Sequence, residues 1–318
     1  MIIKNSLVTL NKNERVNLTI GAFDSFHTGH VKILSLLTRT SKKDQASTCI
    51  ITFKNRPKNL LFRKKDGIIL DNSDRIDLFK TNGIDYLYYL NFNRKFADIQ
   101  AKKFIQMLFK IFNLNRIILG SEFKFGFQNR GNVHTIKKIL RSANCRLQIV
   151  KEKKYGGKKI STTAIKSAIR SGDLIKAGKL LGRKHFFRGI CIKGRGIGKT
   201  IDYPTVNIRP ENREIILPPA GVYATLVKYT NKVYKSMTYI GWNYFTGKET
   251  IEANIFNFNK NIYNKKISVF LIKKLRKEFK FSTLDGLKKQ LALDKKKALN
   301  SLKKERLEVD LGFKKVII

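Results

Sequence analysis

The sequence predicts two domains: a Rossmann-like α/β domain with a parallel sheet, followed by a small antiparallel β-barrel domain with a C-terminal helix. The first prediction rests on a regular alternation, up to about residue 150, of apolar β-branched segments with segments of helical periodicity. The second rests on a change after residue 183, where several short strands separated by turns follow one another. At 318 residues the chain is long enough for two cores. We expect residues 1–183 to form the first domain and residues 184–318 the second.

The elements of the first domain follow from apolar spacing and helix-capping residues. Strands are predicted around Leu18–Ile20 and at Ser47–Phe53, Ile84–Leu90, Arg116–Leu119 and Arg146–Val150, with helices from Val31, from Asp71 to Phe79, at Asp98–Phe112, at Val133–Ala143 and from Asp173 to Leu181. Residues 151–159 hold two glycines and five lysines, which we interpret as a mobile basic loop. Ligands of parallel α/β sheets bind beyond the carboxyl ends of the strands, so the loops after Ile20, Phe53 and Leu119 are expected to share a cleft.

The second domain is predicted from runs of β-branched and aromatic residues at strand length. These runs are Phe186–Lys193, Gly221–Tyr229, Ser236–Gly241, Thr250–Phe258 and Lys266–Leu275. An amphipathic helix up to about Leu291 follows, and the lysine-rich end of the chain is expected to continue that helix into a solvated tail.

The formal net charge of +43 would by itself suggest a nucleic-acid partner. However, the basic residues are scattered along the whole chain, which is also rich in Asn, Ile, Phe and Tyr, residues with A/T-rich codons. Two explanations stay open, a biased genome and a charge selected for a polyanion, and we favour the first. A positive field would attract substrates with several phosphates in either case.

The cellular location is predicted from what the chain lacks. No apolar run approaches the roughly 18 residues that span a bilayer, and the N-terminal segment lacks the apolar core of a signal peptide. The three cysteines, Cys49, Cys145 and Cys191, lie in separate apolar segments without metal-ligand spacing. We expect buried, reduced thiols in a cytoplasmic protein that does not bind a membrane.

The first motif is the run from Gly21 to His30, which lies between a predicted strand and a predicted helix. A glycine-containing loop that enters a helix presents backbone N–H groups and the positive end of the helix dipole, which suits a phosphate. His27 and His30 flank Gly29 and can face the same anion. Two surface histidines beside a turn are the alternative for this segment taken alone.

The fuller pattern, Gly-x-Phe-Asp-x-x-His-x-Gly-His, resembles the HIGH-type nucleotidyltransferases, and in particular the adenylyltransferase half of the bacterial bifunctional riboflavin kinase/FAD synthetase family. The resemblance implies that His27 and His30 are catalytic. It also implies that four neighbouring residues bind the nucleotide: Gly21, Phe23, Asp24 and Gly29.

Further segments of the first domain resemble the same family. Phe53, Phe123 and Phe125 are implied to bind the flavin substrate, whereas Glu122, where the family usually has Asp or Asn, is implied to bind the nucleotide. Arg56 replaces a histidine of the family motif. After the basic loop, Ser161, Thr162, Thr163 and Lys166 match the family's Ser-Ser/Thr-Thr-x-Ile-Arg segment and are implied to bind phosphate, with a lysine in place of the bidentate arginine.

In the second domain, residues 194–200 differ from a Walker A loop by one residue in spacing and precede an extended segment rather than a helix. Together with Pro204-Thr205-Val206-Asn207, this run resembles the riboflavin kinase signature. The resemblance implies nucleotide binding by the following residues: Gly194, Gly196, Gly198, Lys199, Thr205 and Asn207. Thr205 is also implied to bind Mg²⁺, Glu252 to act as general base and Arg276 to approach the flavin. The family usually has His at Asn254 and Asp at Asn257.

The resemblance implies ATP-dependent phosphorylation of riboflavin to FMN and adenylylation of FMN to FAD and pyrophosphate, with Mg²⁺ as cofactor and riboflavin, FMN, FAD and ATP as ligands. Three alternatives are retained. The first is a kinase with a decayed adenylyltransferase domain, because the departures at Arg56, Glu122 and Lys166 all fall in that half. The others are a nucleotidyltransferase with a different substrate and a nucleic-acid-binding protein that reuses the fold. A nucleic-acid partner is not favoured, and an oligomer stays open.

Overall fold

The computed structural model describes residues 1–55, 66–194, 197–243 and 248–305. The described chain forms two compact units. One unit contains the residues up to Asp66 and those from Leu70 to Ser161. The other contains Gly67–Ile69 and the residues from Thr162 onward. The sequence places the domain boundary at residue 183, whereas the units divide before Thr162, and the functional boundary stays a prediction.

A parallel sheet organises the N-terminal unit. Its strands are β1 (Ile2–Lys4), β2 (Arg15–Ile20), β3 (Ser47–Phe53), β4 (Tyr86–Leu90), β5 (Asn113–Gly120) and β8 (Arg146–Val150), and the short pieces β6 (Lys124–Phe125) and β7 (Gly131–Asn132) pair separately. The sheet order is β1-β4-β3-β2-β5-β8. Since β3 and β5 flank β2 on opposite sides, the chain reverses its winding direction between β2 and β5. In such sheets the ligand crevice lies at this point.

The helices of this unit cover the sheet. They are α1 (Thr28–Asp44), α2 (Asn72–Thr81), α3 (Arg94–Ala97), α4 (Ala101–Ile111) and α5 (Val133–Ile139). Asp71 caps α2 through a reciprocal capping box, as the sequence predicts. The helix predicted at Asp98–Phe112 is confirmed as α4, and Asn93 caps a separate short helix, α3, that the sequence did not predict.

The prediction of a mobile basic loop at residues 151–159 is wrong. Lys154–Tyr155 (β9) and Lys158–Lys159 (β10) pair as an antiparallel hairpin. Gly156 and Gly157 both have positive φ, 55° and 73°, as a two-residue hairpin turn of the I′ type requires. The Gly-Gly pair was therefore a turn signal.

A closed barrel organises the C-terminal unit. Its strands are β11 (His185–Ile192), β12 (Val206–Pro210), β13 (Gly221–Tyr229), β14 (Lys232–Asn243), β15 (Lys248–Ile255) and β16 (Lys266–Lys277), in the order β11-β12-β15-β14-β13-β16. The helices are α6 (Thr162–Arg170), α7 (Leu174–Leu181), the single turn α8 (Ile197–Thr200) and α9 (Leu284–Ser301). The predicted fold class of parallel α/β unit, antiparallel barrel and C-terminal helix is confirmed.

Candidate functional site

His27 caps the start of α1. Its Nδ1 accepts the backbone N–H groups of Gly29, at 3.1 Å, and His30, at 3.2 Å. An accepting Nδ1 carries no proton, so the neutral ring holds its proton on Nε2. The motif alone suggested that backbone N–H groups at the start of the helix are free to bind a phosphate. Those of Gly29 and His30 instead bond to the His27 imidazole.

The rings of His27 and His30 stack, with centroids 3.8 Å apart and planes 13° apart. Within the described residues, His30 Nδ1 is inaccessible and has no hydrogen-bond partner. Burial lowers the pKa of His30 well below 6.5, electrostatic interactions with His27 and Arg75 lower it further, and Asp24 opposes them. His30 is thus neutral near pH 7, and it can offer a phosphate a hydrogen bond rather than a full positive charge.

Packing requires the glycines of this motif. A Cβ at Gly29 would lie 2.9 Å from Cε1 and 3.0 Å from Nδ1 of His27. A Cβ at Gly21 would lie 3.0 Å from the ring of Phe23. A side chain at Gly29 would push the capping imidazole out of position, so the glycine between the histidines is a condition for their stacking.

Two phenylalanines anchor the same loop in an unusual backbone conformation. Phe23 has φ 44° and Phe26 has φ 47°, and both side chains are buried. Both rings pack against Phe79 of α2, and Phe23 also contacts the ring of His30 at 5.1 Å. The buried Phe23 side chain therefore packs against His30 as well as against α2. Asp24, between the two, is partly exposed.

The aromatic residues predicted to bind flavin belong to one connected cluster. Phe53, at the end of β3, packs against Phe96 at 5.2 Å, and Phe104 links Phe96 to Phe125. Phe125 stacks with Phe123 at 5.4 Å and 15°. Phe125 is buried, whereas Phe53 and Phe123 are half-buried, so these two rings can contact a ligand. They follow β3 and β5, on either side of β2, at the predicted crevice.

The remaining predicted nucleotide contacts of the first domain are placed as follows. Glu122 is exposed and pairs with Lys159 of the hairpin at 3.6 Å. Ser161 precedes α6, Thr162 and Thr163 lie in its first turn, and Lys166, one turn later, is buried. The division between the two units falls between Ser161 and Thr162, and a shared phosphate site there stays a prediction. Arg56 lies outside the described residues.

Strand register assembles the kinase-like site on the outer face of the barrel. Glu252 of β15 pairs directly with Asn207 of β12 on one side and with Tyr239 of β14 on the other. Directly paired residues project to the same face of a sheet. Ile251 and Ala253, the neighbours of Glu252, belong to the apolar core of the barrel. Glu252, Asn207 and Tyr239 therefore face away from the core.

Two threonine hydroxyls lie beside the Glu252 carboxylate. Thr205 Oγ1 donates to Oε2 and Thr250 Oγ1 to Oε1, both at 3.4 Å. Desolvation raises the pKa of Glu252 above 4.5, and the two hydroxyls partly oppose this. The structure thus brings together three residues that the sequence predicted separately, Glu252, Thr205 and Asn207.

The glycine-rich run packs against the segment that follows it. A Cβ at Gly194 would lie 2.0 Å from Asn207 Nδ2, and one at Gly198 would lie 2.3 Å from the carbonyl oxygen of Tyr203. Both glycines therefore allow close approach to the signature segment. Gly196 lies outside the described residues, and for Lys199 only the backbone is described.

Asn254 supplies support for the site that the family pattern assigns to a histidine. Its Nδ2 donates to the carbonyl of Pro204 at 2.7 Å, and the residue is buried. This bond holds the turn before Thr205 and so fixes the hydroxyl that contacts Glu252. Asn257 has φ 54°, in the left-handed region that Asn tolerates better than most residues.

Arg276 is held by structural contacts. Its Nε donates to the fully buried Asp294 of α9 at 2.8 Å, and its guanidinium stacks on Phe279 at 4.4 Å. Val222 of β13 pairs with both Tyr239 and Arg276, so Arg276 lies in the same row around the barrel as Glu252. The predicted flavin contact stays a prediction, in which an anchored guanidinium borders the site.

Tyr239 lies on the same face as Glu252, although the sequence did not indicate it. Its ring lies across Gly241, where a Cβ would approach Oη to 2.3 Å, and its hydroxyl contacts Glu278. The only sequence signal was a tyrosine two residues before a glycine in a strand, which does not indicate a site.

Comparison with known proteins identifies the family. Residues 9–164 match the FAD synthetase family and residues 181–302 the riboflavin kinase family. A bifunctional riboflavin kinase/FMN adenylyltransferase of Buchnera aphidicola is 35% identical over 297 residues, 91% of this chain and 94% of that protein. The chain belongs to the bifunctional riboflavin kinase/FMN adenylyltransferase family. The family resemblance drawn from the motifs is confirmed.

Two further matches cover most of the chain. A bifunctional riboflavin kinase/FMN adenylyltransferase of Bacillus subtilis is 31% identical over 290 residues, 89% of this chain and 91% of that protein. A crystal structure described as a macrolide-efflux protein from Streptococcus pneumoniae has a TM-score of 0.86 and 30% identity, covering 94% of this chain and 98% of that one. Within the described ranges, no helix is long and apolar enough to cross a membrane. ATP, riboflavin, FMN and FAD are the substrates and products of both matched families.

Proposed function

We propose that the chain makes FAD from riboflavin in two steps. In the C-terminal unit, ATP phosphorylates riboflavin to FMN and ADP. In the N-terminal unit, a second ATP adenylylates FMN to FAD and pyrophosphate. The observation that carries this proposal is the presence, in one chain of this family, of both the Glu252 cluster on the barrel and the stacked histidine pair at the start of α1.

For adenylyl transfer, an FMN phosphate oxygen attacks the α-phosphorus of ATP, the bond to the β-phosphate bridging oxygen breaks, and pyrophosphate leaves. His27 and His30 supply hydrogen bonds to the phosphates as negative charge builds on them. The positive end of α1 adds to the stabilisation. The flavin ring is placed against the half-buried Phe53 and Phe123, because rings stack favourably on aromatic faces. Gly21, Asp24 and Glu122 of the same unit are proposed to complete the nucleotide site.

For phosphoryl transfer, Glu252 accepts the proton of the terminal ribityl hydroxyl as its oxygen attacks the γ-phosphorus of ATP, and ADP leaves. Desolvation raises the pKa of Glu252, which makes its carboxylate a better base. Thr205 and Asn207 position the phosphates, with the glycine-rich run covering them. This positioning is the main contribution that a protein makes to phosphoryl transfer.

The donor set beside Glu252 fits Mg²⁺. The Thr205 hydroxyl and the Asn207 amide oxygen are hard oxygen donors, which Mg²⁺ prefers, and Mg²⁺ in kinase sites takes few protein ligands together with substrate phosphates. We propose that Thr205 holds this ion with Asn207 beside it. When bound, Mg²⁺ neutralises charge on the phosphates.

A cytoplasmic location is proposed for the enzyme. Cys49, Cys145 and Cys191 are buried and unpaired by disulfides, as expected for thiols in a reducing compartment. Both reactions also consume ATP, which that compartment supplies.

The test uses the full chain with ATP and Mg²⁺, and chromatographic separation of flavins. With riboflavin, FMN and then FAD should form; with FMN alone, FAD and pyrophosphate should form. Two variants separate the steps: His30→Ala should lose FAD formation from FMN and keep riboflavin phosphorylation, and Glu252→Gln should do the reverse. The exposed His134 and Glu249 provide matched controls, as His134→Ala and Glu249→Gln, which should resemble the wild type.

Three results of this experiment would restrict or overturn the proposed function. Conversion of riboflavin to FMN without any FAD from FMN would leave only the kinase half. FAD formation by His30→Ala at the wild-type rate would remove His30 from the mechanism. Tight, steeply salt-dependent binding to duplex nucleic acid without any flavin conversion would overturn the proposal.

A further inference from the structure

Arg75, on the first turn of α2, is a buried arginine that forms contacts with three strand ends. Its Nη2 donates to the carbonyl of Ala22 at 2.6 Å and to Thr52 Oγ1 at 2.9 Å. Its Nη1 donates to the carbonyl of Phe53 at 2.8 Å and to the Tyr89 hydroxyl at 3.2 Å. The guanidinium thus joins the loop after β2 to the carboxyl end of β3 and to β4.

Neighbouring groups fix the guanidinium in place. Asn72 accepts from Nη1 at 3.3 Å and from the hydroxyl of Tyr89, and the Tyr89 ring lies 5.3 Å from the guanidinium carbon. Thr52 Oγ1 also donates to Ala22 at 3.0 Å. A lysine could not reproduce this arrangement, because only a guanidinium presents several donors in one fixed plane.

The loop that Arg75 holds is strained and carries both histidines. Ala22 directly precedes Phe23, whose φ of 44° costs energy for a bulky residue and persists only where surrounding contacts impose it. Phe79 lies one turn after Arg75 on the same face of α2 and packs against Phe23. Phe23 in turn contacts the ring of His30. One face of α2 therefore holds the loop after β2 through two contacts, the hydrogen bond from Arg75 to the Ala22 carbonyl and the packing of Phe79 against Phe23.

We propose that Arg75 is a positioning residue for adenylyl transfer, which fixes the Ala22 carbonyl and thereby the loop that places His27 and His30. The inference rests on the proposed FMN adenylylation. Arg75 has a second effect, since its buried positive charge lowers the pKa of the His30 ring. His27 and Asp24 are the other ionisable groups that act on this ring.

The test compares Arg75→Met, which removes both the planar set of N–H donors and the positive charge, with Arg75→Lys, which keeps only the positive charge. Both should lower the rate of FAD formation from FMN, Arg75→Met by about 100-fold, the cost expected for a misplacement on the order of 1 Å. Riboflavin phosphorylation in the same preparations should be unchanged. The matched control is Arg116→Met, since Arg116 is a partly buried arginine of this unit that pairs with Asp44 near the amino ends of the strands.

A measurement independent of activity is the NMR titration of the His30 ring, assigned with His30→Gln. Loss of the Arg75 charge should raise the pKa of His30 in Arg75→Met, whereas Arg75→Lys and Arg116→Met should titrate like the wild type. If Arg75→Met fails to fold, the activity loss in Arg75→Lys decides.

Wild-type FAD formation in both Arg75 variants would overturn the inference, as would equal losses in Arg75→Lys and Arg116→Met. If the wild-type chain makes no FAD, the proposed function fails and the titration decides alone. An unchanged His30 titration in Arg75→Met then overturns the role of Arg75.

Discussion

His185 should make the barrel unit sensitive to mild acid. This histidine is buried at the start of β11, and its Nε2–H donates to the carbonyl of Ile216 at 2.8 Å. Burial lowers the pKa of His185 from 6.5 to about 4, an effect that Arg183 reinforces. The folded unit therefore resists protonation at a pH where the unfolded chain already takes up the proton.

The direction and size of the pH effect on stability follow from the difference in the pKa of His185 between the folded and the unfolded chain. Above pH 6.5 the ring is neutral in both states and stability is unaffected. As pH falls from about 6.5 to about 4 only the unfolded chain is protonated, so stability is lost over this window, and below it no more is lost. Each pKa unit corresponds to about 1.4 kcal/mol, so the total loss from this residue is about 3 kcal/mol.

The assay is urea unfolding at several pH values between 4 and 7, followed by the fluorescence of Trp242, the single tryptophan, which lies in this unit. His185→Gln keeps a donor for the Ile216 carbonyl but does not titrate, and its unfolding free energy should fall by about 3 kcal/mol less than that of the wild type. His134→Gln, at an exposed site, should follow the wild type. Parallel pH dependences of wild type and His185→Gln would refute the reasoning, whatever their absolute stabilities.

Three further predictions concern the glycine between the histidines, an ion pair of the barrel unit and the reactivity of the thiols. Gly29→Ala should lower FAD formation from FMN at least tenfold, roughly the cost of misplacing a catalytic group, because the new Cβ would displace the His27 ring. FMN formation from riboflavin should stay intact. Wild-type rates of both reactions in this variant would contradict the prediction. Asp294→Ala should destabilise the barrel unit by about 3 kcal/mol, because the partly buried Arg276 loses its fully buried partner. Lys288→Ala, which breaks an exposed pair with Asp202, should have no measurable effect on the free energy of unfolding. Urea unfolding distinguishes the two variants. The folded chain should not react with a thiol reagent at pH 8, because burial raises the pKa of all three thiols; rapid labelling before unfolding would contradict this. Those thiols belong to Cys49, Cys145 and Cys191.

Local sequence signals predicted the framework well. Alternation of strands and helices indicated a parallel sheet, and Asp71 and Asp173 cap the predicted helices. Gly156-Gly157 is a local signal for a hairpin turn. The surrounding lysines outweighed it and led to the wrong prediction of a mobile loop. The short N-terminal strand Ile2–Lys4 was not predicted, because two apolar residues carry too little periodicity.

Contacts between distant parts of the chain could not be predicted. Thr205, Asn207 and Glu252 were identified through a motif resemblance, but their meeting on one face depends on the β12–β15 register. Arg75 gave no signal because a chain with 66 Lys and Arg residues hides one buried arginine among exposed ones. Its partners Ala22 and Phe53 contribute backbone carbonyls, which every residue has.

The alternation along β15 has a consequence for how the enzyme tolerates change. Ile251, Ala253 and Ile255 pack in the barrel core, while Thr250 and Glu252, which alternate with them along the strand, face the proposed reaction site. Saturation mutagenesis of this strand should therefore give a two-residue rhythm, with inward positions scored by protein abundance and outward positions by flavin turnover. Selection for a new flavin analogue can act on the outward set alone, because a substitution there removes no side chain from the core.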